Sequence, residues 1–354
     1  MLRTLVLCLS VFVVIGAKNV RPVELMADPC QCVPHQMCID NDFAVDGQGL
    51  LDIRIDGECE DPDHICCDNV IEPPVPPAVQ SLFSSCGFET PIQPRILGEQ
   101  IIIFGEVPWT TAILRRDAER KLNIFKCGSS LIHPQVVLTA AHCVFGYDIK
   151  TLSVRAGEVD AEDTTEALPH QEHKVKEVVI HKNFNPNSLR NDIALVILSD
   201  PFMLSGNVRV VCLPTQQLNL ISTSCRASGW GSDSFKNGKH SSKLKKIDLP
   251  LISRSKCLFQ LRQTRLGPFF SLHRSFICAG GERGADTCTG DGGSPLVCPI
   301  EGHSDRFVQM GIVSWGIGCG NESPGVYVNV NLFASWIDEQ LMKRQFDTTV
   351  YKYK

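Results

Sequence analysis

The chain carries little excess charge of either sign. Its 354 residues hold 34 Lys and Arg against 39 Asp and Glu, a formal net charge of −5, which argues against a nucleic-acid binder built on bulk positive charge. Long apolar runs are also scarce. The one at residues 5–15 is too short for a bilayer, which needs about 20 residues. With Arg3 before it and the small residues Gly16 and Ala17 after it, the run reads as a secretory signal peptide over 1–17, cut after Ala17. No membrane span is expected elsewhere, and long internal repeats are absent. A hydrophobic content of 43% with 21% charged residues excludes a wholly disordered chain.

Cysteine, by contrast, is plentiful: there are 17. Removing the signal takes Cys8, and the even remainder fits complete disulfide pairing in an exported chain. Six cysteines, Cys30, Cys32, Cys38, Cys59, Cys66 and Cys67, crowd into a short stretch with little apolar sequence between them. A unit this small needs covalent staples, and three disulfides would supply them. Spacing alone leaves their connectivity open. The C-x-C and C-C spacings do not match paired zinc knuckles.

A proline-rich stretch follows, Ile71-Glu-Pro-Pro-Val-Pro-Pro-Ala-Val-Gln80, which holds the chain extended. It reads as a semi-rigid linker within 68–95. From residue 96 onward, short β-rich runs alternate with turn signals, at 130–132, 135–139, 174–180, 193–198 and 308–315. This texture predicts an all-β barrel or sandwich. Near the end, Phe333, Trp336, Ile337, Gln340 and Leu341 predict one helix, and Lys343 and Arg344 suit its C-terminus. The expected division is a cysteine-rich unit at 30–67, the linker at 68–95, a large β domain at 96–343 and a tail at 344–354.

Three segments carry chemistry. Thr139-Ala-Ala-His-Cys143 sets a histidine at the end of an apolar strand. Asn191-Asp-Ile-Ala-Leu195 sets an aspartate at the mouth of another. Further on stands Thr287-Cys-Thr-Gly-Asp-Gly-Gly-Ser-Pro-Leu-Val-Cys298. In this order, from about residue 96 to 341, they resemble the trypsin-like serine proteases. The resemblance implies two six-stranded antiparallel barrels with a C-terminal helix. It makes His142 the general base and Asp192 its buried partner. The family's nucleophile loop reads Gly-Asp-Ser-Gly-Gly-Pro, whereas here Gly290-Asp291-Gly292-Gly293-Ser294-Pro295 sets Gly292 at the serine position. Glycine has no oxygen to form an acyl-enzyme. In an unrelated protease with the same triad, loss of the serine costs about 10⁶ in turnover. Ser294 is the alternative nucleophile, but it lies two residues along, and a shift of about 1 Å can cost about 100-fold. The expectation is a protease-shaped protein that does not cut.

By the same resemblance, Asp286, Ser314, Gly316 and Gly325 are the remnant of a pocket for Arg or Lys side chains. Ten cysteines fall into family pairs: Cys86–Cys212, Cys127–Cys143, Cys225–Cys298, Cys257–Cys278 and Cys288–Cys319. The N-terminal six resemble a clip domain with Cys30–Cys66, Cys32–Cys59 and Cys38–Cys67. With Leu168-Pro-His-Gln171, these features are similar to clip-domain serine protease homologs of the masquerade-like type. That group implies a secreted haemolymph cofactor in prophenoloxidase activation and melanisation. It also implies partnership with an active clip-domain protease and with prophenoloxidase, and self-association. The alternatives are a negative regulator, a microbial-surface or adhesion protein, and an active endopeptidase.

Other positions are weaker signals. Arg95-Ile-Leu-Gly98 resembles a zymogen cleavage site, after which the new amino group of Ile96 would pair with Asp291. Arg54, between Cys38 and Cys59, is a second cleavage candidate. Lys236, Lys239, Lys243, Lys245 and Lys246 form a basic run, usually a solvated loop and otherwise a site for a polyanion. His170, His173 and His181 lack metal spacing, and no bound metal is expected; Glu158 and Glu166 lie where some relatives bind calcium. Asn321 opens a glycosylation sequon, which Pro324 weakens.

Overall fold

The structure is a computed structural model of the chain. It describes residues 31–34, 64–67, 85–90, 102–117, 119, 122–162, 166–215, 224–231, 241–281, 291–303, 305–318 and 322–353. Two units are present, 1–75 and 76–354. In the first, β1 (Gln31–Pro34) pairs antiparallel with β2 (His64–Cys67), with Cys32 opposite Cys66.

The second unit contains two closed antiparallel barrels. The first barrel is built from β3 (Thr110–Asp117), β4 (Leu122–His133), β5 (Val136–Thr139), β6 (Leu152–Ala156), β7 (Gln171–Ile180) and β8 (Ala194–Leu198), in the order β3-β4-β5-β8-β7-β6. The second uses β9 (Ser224–Gly229), β10 (Lys245–Ile252), β11 (Phe276–Gly280), β12 (Pro295–Pro299), β13 (Phe307–Trp315) and β14 (Pro324–Asn329), in the order β10-β11-β14-β13-β12-β9. All five expected runs lie on these strands. β5 and β8 read Val-Val-Leu-Thr and Ala-Leu-Val-Ile-Leu and are buried at every residue, so they pair as the double-sided wall of the first core. β6 alternates buried and half-buried positions, as a strand with one wet face should.

Among the described residues, three α-helices accompany the barrels: α1 (Ala141–Val144), α2 (Arg254–Arg262) and α3 (Val330–Met342). On α3, Phe333, Ile337 and Leu341 recur at a spacing of four and are buried. The helix leaves β14 of the second barrel and docks on the first. His181 sets its ring edge against Phe333 and Trp336, and Arg344 pairs with Glu177 on β7. The barrels also meet through buried polar bonds, Ser130 Oγ to Gln309 Oε1 at 2.6 Å and Thr110 to Ser228 at 2.8 Å.

Residues on either side of the barrels are built into the same unit. The Gly87 amide donates to Val210 O, and Cys86 is buried and bonded to Cys212. At the other end Tyr351 is buried, its hydroxyl donates to Asp338 at 2.6 Å, and Arg306 lies over the Tyr353 ring. Among the described residues, no helix is long and apolar enough to cross a membrane.

Candidate functional site

The seam between the barrels brings four segments together. α1 follows β5 directly and presents His142, whose side chain is 30% exposed. Asp192 lies just before β8 and is fully buried. Its Oδ1 accepts the His142 amide at 2.8 Å, and its Oδ2 meets His142 Nδ1 at 2.7 Å. Ser314, on β13 of the other barrel, donates its hydroxyl to the same Oδ2 at 2.6 Å. One carboxylate therefore receives three hydrogen bonds, two from the first barrel and one from the second. This arrangement fixes the ring and leaves Nε2 facing the cleft.

What faces Nε2 is Gly292. A Cβ built on Gly292 would lie 2.9 Å from His142 Nε2 and 3.4 Å from Cε1. The loop carrying it is held by its backbone. Gly292 O accepts the Gly128 amide, Gly293 N donates to Val313 O, and Ser294 N donates to Asp291 O, each at 2.9 Å. Position 293 demands glycine: its φ is +83°, and a Cβ there would come within 2.4 Å of Gly128 O and Thr139 Oγ1.

Ser294 is fully buried, and its hydroxyl has no hydrogen-bond partner among the described residues. It fills the space left by two glycines. A Cβ on Gly128 would come within 1.9 Å of Ser294 Oγ, and one on Gly229 within 2.9 Å. A hydroxyl enclosed in this way, with no bond to His142, has neither a base nor a path to a substrate carbonyl. Among the described residues, the site can hold and orient an imidazole but offers it no accessible hydroxyl.

Other candidate residues are distributed as follows. Asp291 Oδ1 accepts the Gly231 amide at 2.9 Å, and its carboxylate lies against Gly229 and Gly231. Gly325, on β14, pairs with Ala279, and a Cβ on Gly316 would have no neighbour closer than 3.8 Å. Cys127–Cys143, Cys225–Cys298, Cys257–Cys278 and Cys86–Cys212 are disulfides. Arg54, Arg95, Ile96, Asp286, Asn321, Lys236, Lys239, the pair Cys288–Cys319 and the three clip pairings lie outside the described residues or side chains.

The remaining candidates for metals and anions are engaged by protein groups. Glu158 Oε2 faces His170 Nδ1 at 3.1 Å and Arg155 at 3.2 Å. Burial opposes its charge, yet the contacts with His170 and Arg155 hold the Glu158 carboxyl below the usual range. Glu166 Oε1 accepts the Val159 and Asp160 amides, while burial pushes its carboxyl up. Calcium would have to displace these contacts. His173 stacks on Phe202 and His181 on α3, so the three histidines serve separate contacts. Cys127, His142 and Cys143 cluster, but both sulfurs are in a disulfide. In the basic run, Lys243 pairs with Asp160 at 3.5 Å and Lys246 with the fully buried Glu106 at 2.6 Å.

Sequence reasoning missed two features. It read Ser314 as a pocket wall and not as a ligand of Asp192. It also missed the charge cluster in which Arg226 meets Glu89, Glu106 and Asp248. Neither had a local signal, since each depends on strands distant in sequence.

Comparison with known proteins agrees with this geometry. Residues 98–337 match the family model described as Trypsin, and residues 26–68 match the one described as Serine protease Clip domain PPAF-2. Phenoloxidase-activating factor 2 of Galleria mellonella is 49% identical over 306 residues, covering 82% of this chain and 100% of that protein. Two proteins of Anopheles gambiae named inactive CLIP domain-containing serine proteases, A28 and A8, are each 35% identical. They cover 90% and 87% of this chain and the same shares of their own lengths. The chain belongs to the trypsin family, among the serine protease homologues that carry an N-terminal clip domain.

Proposed function

We propose that this chain is a secreted, noncatalytic serine protease homologue that acts, once processed, as a cofactor in a protease cascade. The observation that carries the reading is the glycine facing His142 Nε2, in a loop whose serine, Ser294, is sealed in the core. Without a nucleophile, general-base machinery accomplishes nothing on a peptide bond. What is left is a protease-shaped surface. The likeness to phenoloxidase-activating factor 2 over that protein's full length supports prophenoloxidase activation as the cascade.

In this reading the chain holds an active clip-domain protease and prophenoloxidase together in haemolymph. It gains rate by raising effective concentration and performs no chemistry itself. Processing occurs at Arg54 or Arg95. After a cut at Arg95, Ile96 inserts towards Asp291, and Cys86–Cys212 keeps the two pieces joined. Asp286, Ser314, Gly316 and Gly325 are the remnant of an ancestral pocket.

The test is a reconstitution. Purified prophenoloxidase is mixed with an active clip-domain protease, and phenoloxidase activity is measured with intact chain, cleaved chain or neither. A large gain with the cleaved chain is expected. No change, or a loss, would sink the cofactor reading and favour a negative regulator. N-terminal sequencing of the chain recovered during an immune response should find a cut after Arg54 or Arg95.

A further inference from the structure

A surface outside the seam combines uncompensated charge with aromatic rings left in water. α2 is pinned to β11 by Cys257–Cys278 and by the buried side chain of Leu261. Its outward face carries Lys256, Phe259 and Arg262 at a spacing of three, which makes them neighbours. The chain then turns at Gly267, whose φ is +78°, and folds back on the helix. Arg262 Nε donates to Phe270 O at 2.9 Å, and Arg254 donates to the carbonyls of Leu272 and His273. The Asn191 amide donates to Ser275 Oγ at 3.2 Å, which brings Arg190 beside the returning loop.

Arg190, Arg254, Lys256, Arg262, Arg265 and Arg274 are all exposed, and none forms an ion pair with a carboxylate among the described residues. From 249 to 281 the sequence has no acidic residue at all. Asp248 is engaged by Arg226, and Glu322 meets α2 through its carbonyl, at Gln260. Burial and the joint field of Arg190, Arg274 and Arg254 lower the His273 pKa. Like charge gathered without compensation opposes the folded state, so the face is one that an external anion would relieve.

The apolar side chains of this segment have a core available to them. Leu258, Leu266 and Phe270 pack on the cluster around Cys257, Leu261 and Leu272, and Phe270 sets its ring edge against Trp315. Phe259 and Phe269 stay outside it, 66% and 96% exposed. These two rings narrow the choice of anion. A soluble polyanion would use the cations and leave both rings in water. A protein partner would have to supply a pocket for each protruding ring. An anionic bilayer takes up both features at once, its headgroups against the cations and its acyl boundary around the rings. We infer that α2 and the loop 263–275 form a docking surface for an anionic lipid membrane, on which the chain lies without spanning it. The inference uses no residue of the His142 seam, so it stands or falls apart from the cofactor reading.

Co-sedimentation of the full chain with vesicles tests it. Vesicles of phosphatidylglycerol and phosphatidylcholine in equal parts should bind the chain at about 0.1 M salt, and vesicles of phosphatidylcholine alone should not. Binding should weaken at about 1 M salt, where charges act over only ~3 Å. Each cation near an anionic surface contributes about fivefold, so Lys256→Glu, Arg265→Glu and Arg274→Glu together should weaken binding by about 100-fold or more. Phe259→Ser with Phe269→Ser should weaken it by about tenfold or more without changing the charge. Among the described residues these five side chains carry no hydrogen bond or ion pair, so circular dichroism should be unchanged. No binding to the anionic vesicles overturns the inference, as does equal binding to the neutral ones. Binding lost in the charge-reversed chain but kept in the serine chain also overturns it and makes the face a site for a soluble polyanion. Binding that survives both sets but is lost with Lys236→Glu, Lys239→Glu and Lys245→Glu overturns it in favour of the basic run.

Discussion

Restoring an oxygen at position 292 is the sharpest perturbation the site allows. In Gly292→Ser, the new Cβ would start 2.9 Å from His142 Nε2, whereas ordinary contacts begin near 3.4 Å. The ring must retreat by about 0.5 Å, which its 30% exposure permits on the solvent side. Overpacking of this kind costs about 1 kcal/mol, the low end of its usual range. Replacing a glycine recovers about 0.4–1 kcal/mol by restricting the unfolded chain. The backbone is not in the left-handed region at 292, so no strain is added. The melting temperature should therefore barely move. A correctly placed serine is worth about 10⁶ in turnover, and misplacement by up to about 1 Å forfeits about 100-fold. The variant should gain reactivity of roughly 10⁴-fold over the native chain.

The assay is a serine-directed fluorophosphonate followed by peptide mapping. The native chain should remain unlabelled, and the variant should be labelled at position 292. Stoichiometric labelling of the native chain at Ser294 would refute the reasoning outright. A folded variant that gained nothing would refute the narrower claim that the absent oxygen is the site's main defect.

Three further outcomes follow from the same geometry. Ser294→Ala removes a buried hydroxyl with no partner among the described residues, so it should leave stability unchanged or raise it by up to about 1 kcal/mol in urea unfolding; a loss above about 2 kcal/mol would contradict its unpartnered state. Asp192→Ala strands the His142 amide, its Nδ1 and the Ser314 hydroxyl, and should cost about 3–5 kcal/mol by the same measurement. His133, His173, His181 and His273 all have pKa values lowered from 6.5, chiefly by burial. A lowered folded pKa means that the unfolded chain takes up protons first, so this contribution is complete above pH 6.5 and is lost as pH falls below it. The urea midpoint should fall between about pH 7.5 and about pH 5.5, and replacing His133 and His173 with Gln should flatten that slope.

The all-β class was legible from short runs of β-branched residues, buried continuously at β5 and β8 and bounded by turn residues, while the two six-stranded barrels came from the family resemblance. α3 was legible from its spacing of four. α2 was not, since only Cys257 and Leu261 of its nine residues are buried, too few to leave a periodic stripe. Its one local signal was Ser253, whose hydroxyl accepts the Lys256 amide as an N-cap. His142, Asp192 and Gly292 could be found from short motifs, each of which marks the end of a strand. The bond from Ser314 to Asp192 could not, because 122 residues separate the partners and only barrel closure joins them. The enclosure of Ser294 was hidden for the same reason: it depends on Gly128 and Gly229, one from each barrel.

The bond between Cys86 and Cys212 changes what severing this chain can accomplish. From Cys67 to Cys86 the chain runs nineteen residues, which at full extension reach no more than roughly 70 Å. A cut at Arg95 would leave that leash whole and its two pieces joined through Cys86–Cys212, so proteolysis there would liberate nothing by diffusion. Whatever the clip unit grips stays within that radius of the barrels at any dilution, a confinement equivalent to a local concentration on the order of millimolar. The molecule can thus be opened by an enzyme and still deliver its two ends in a one-to-one ratio.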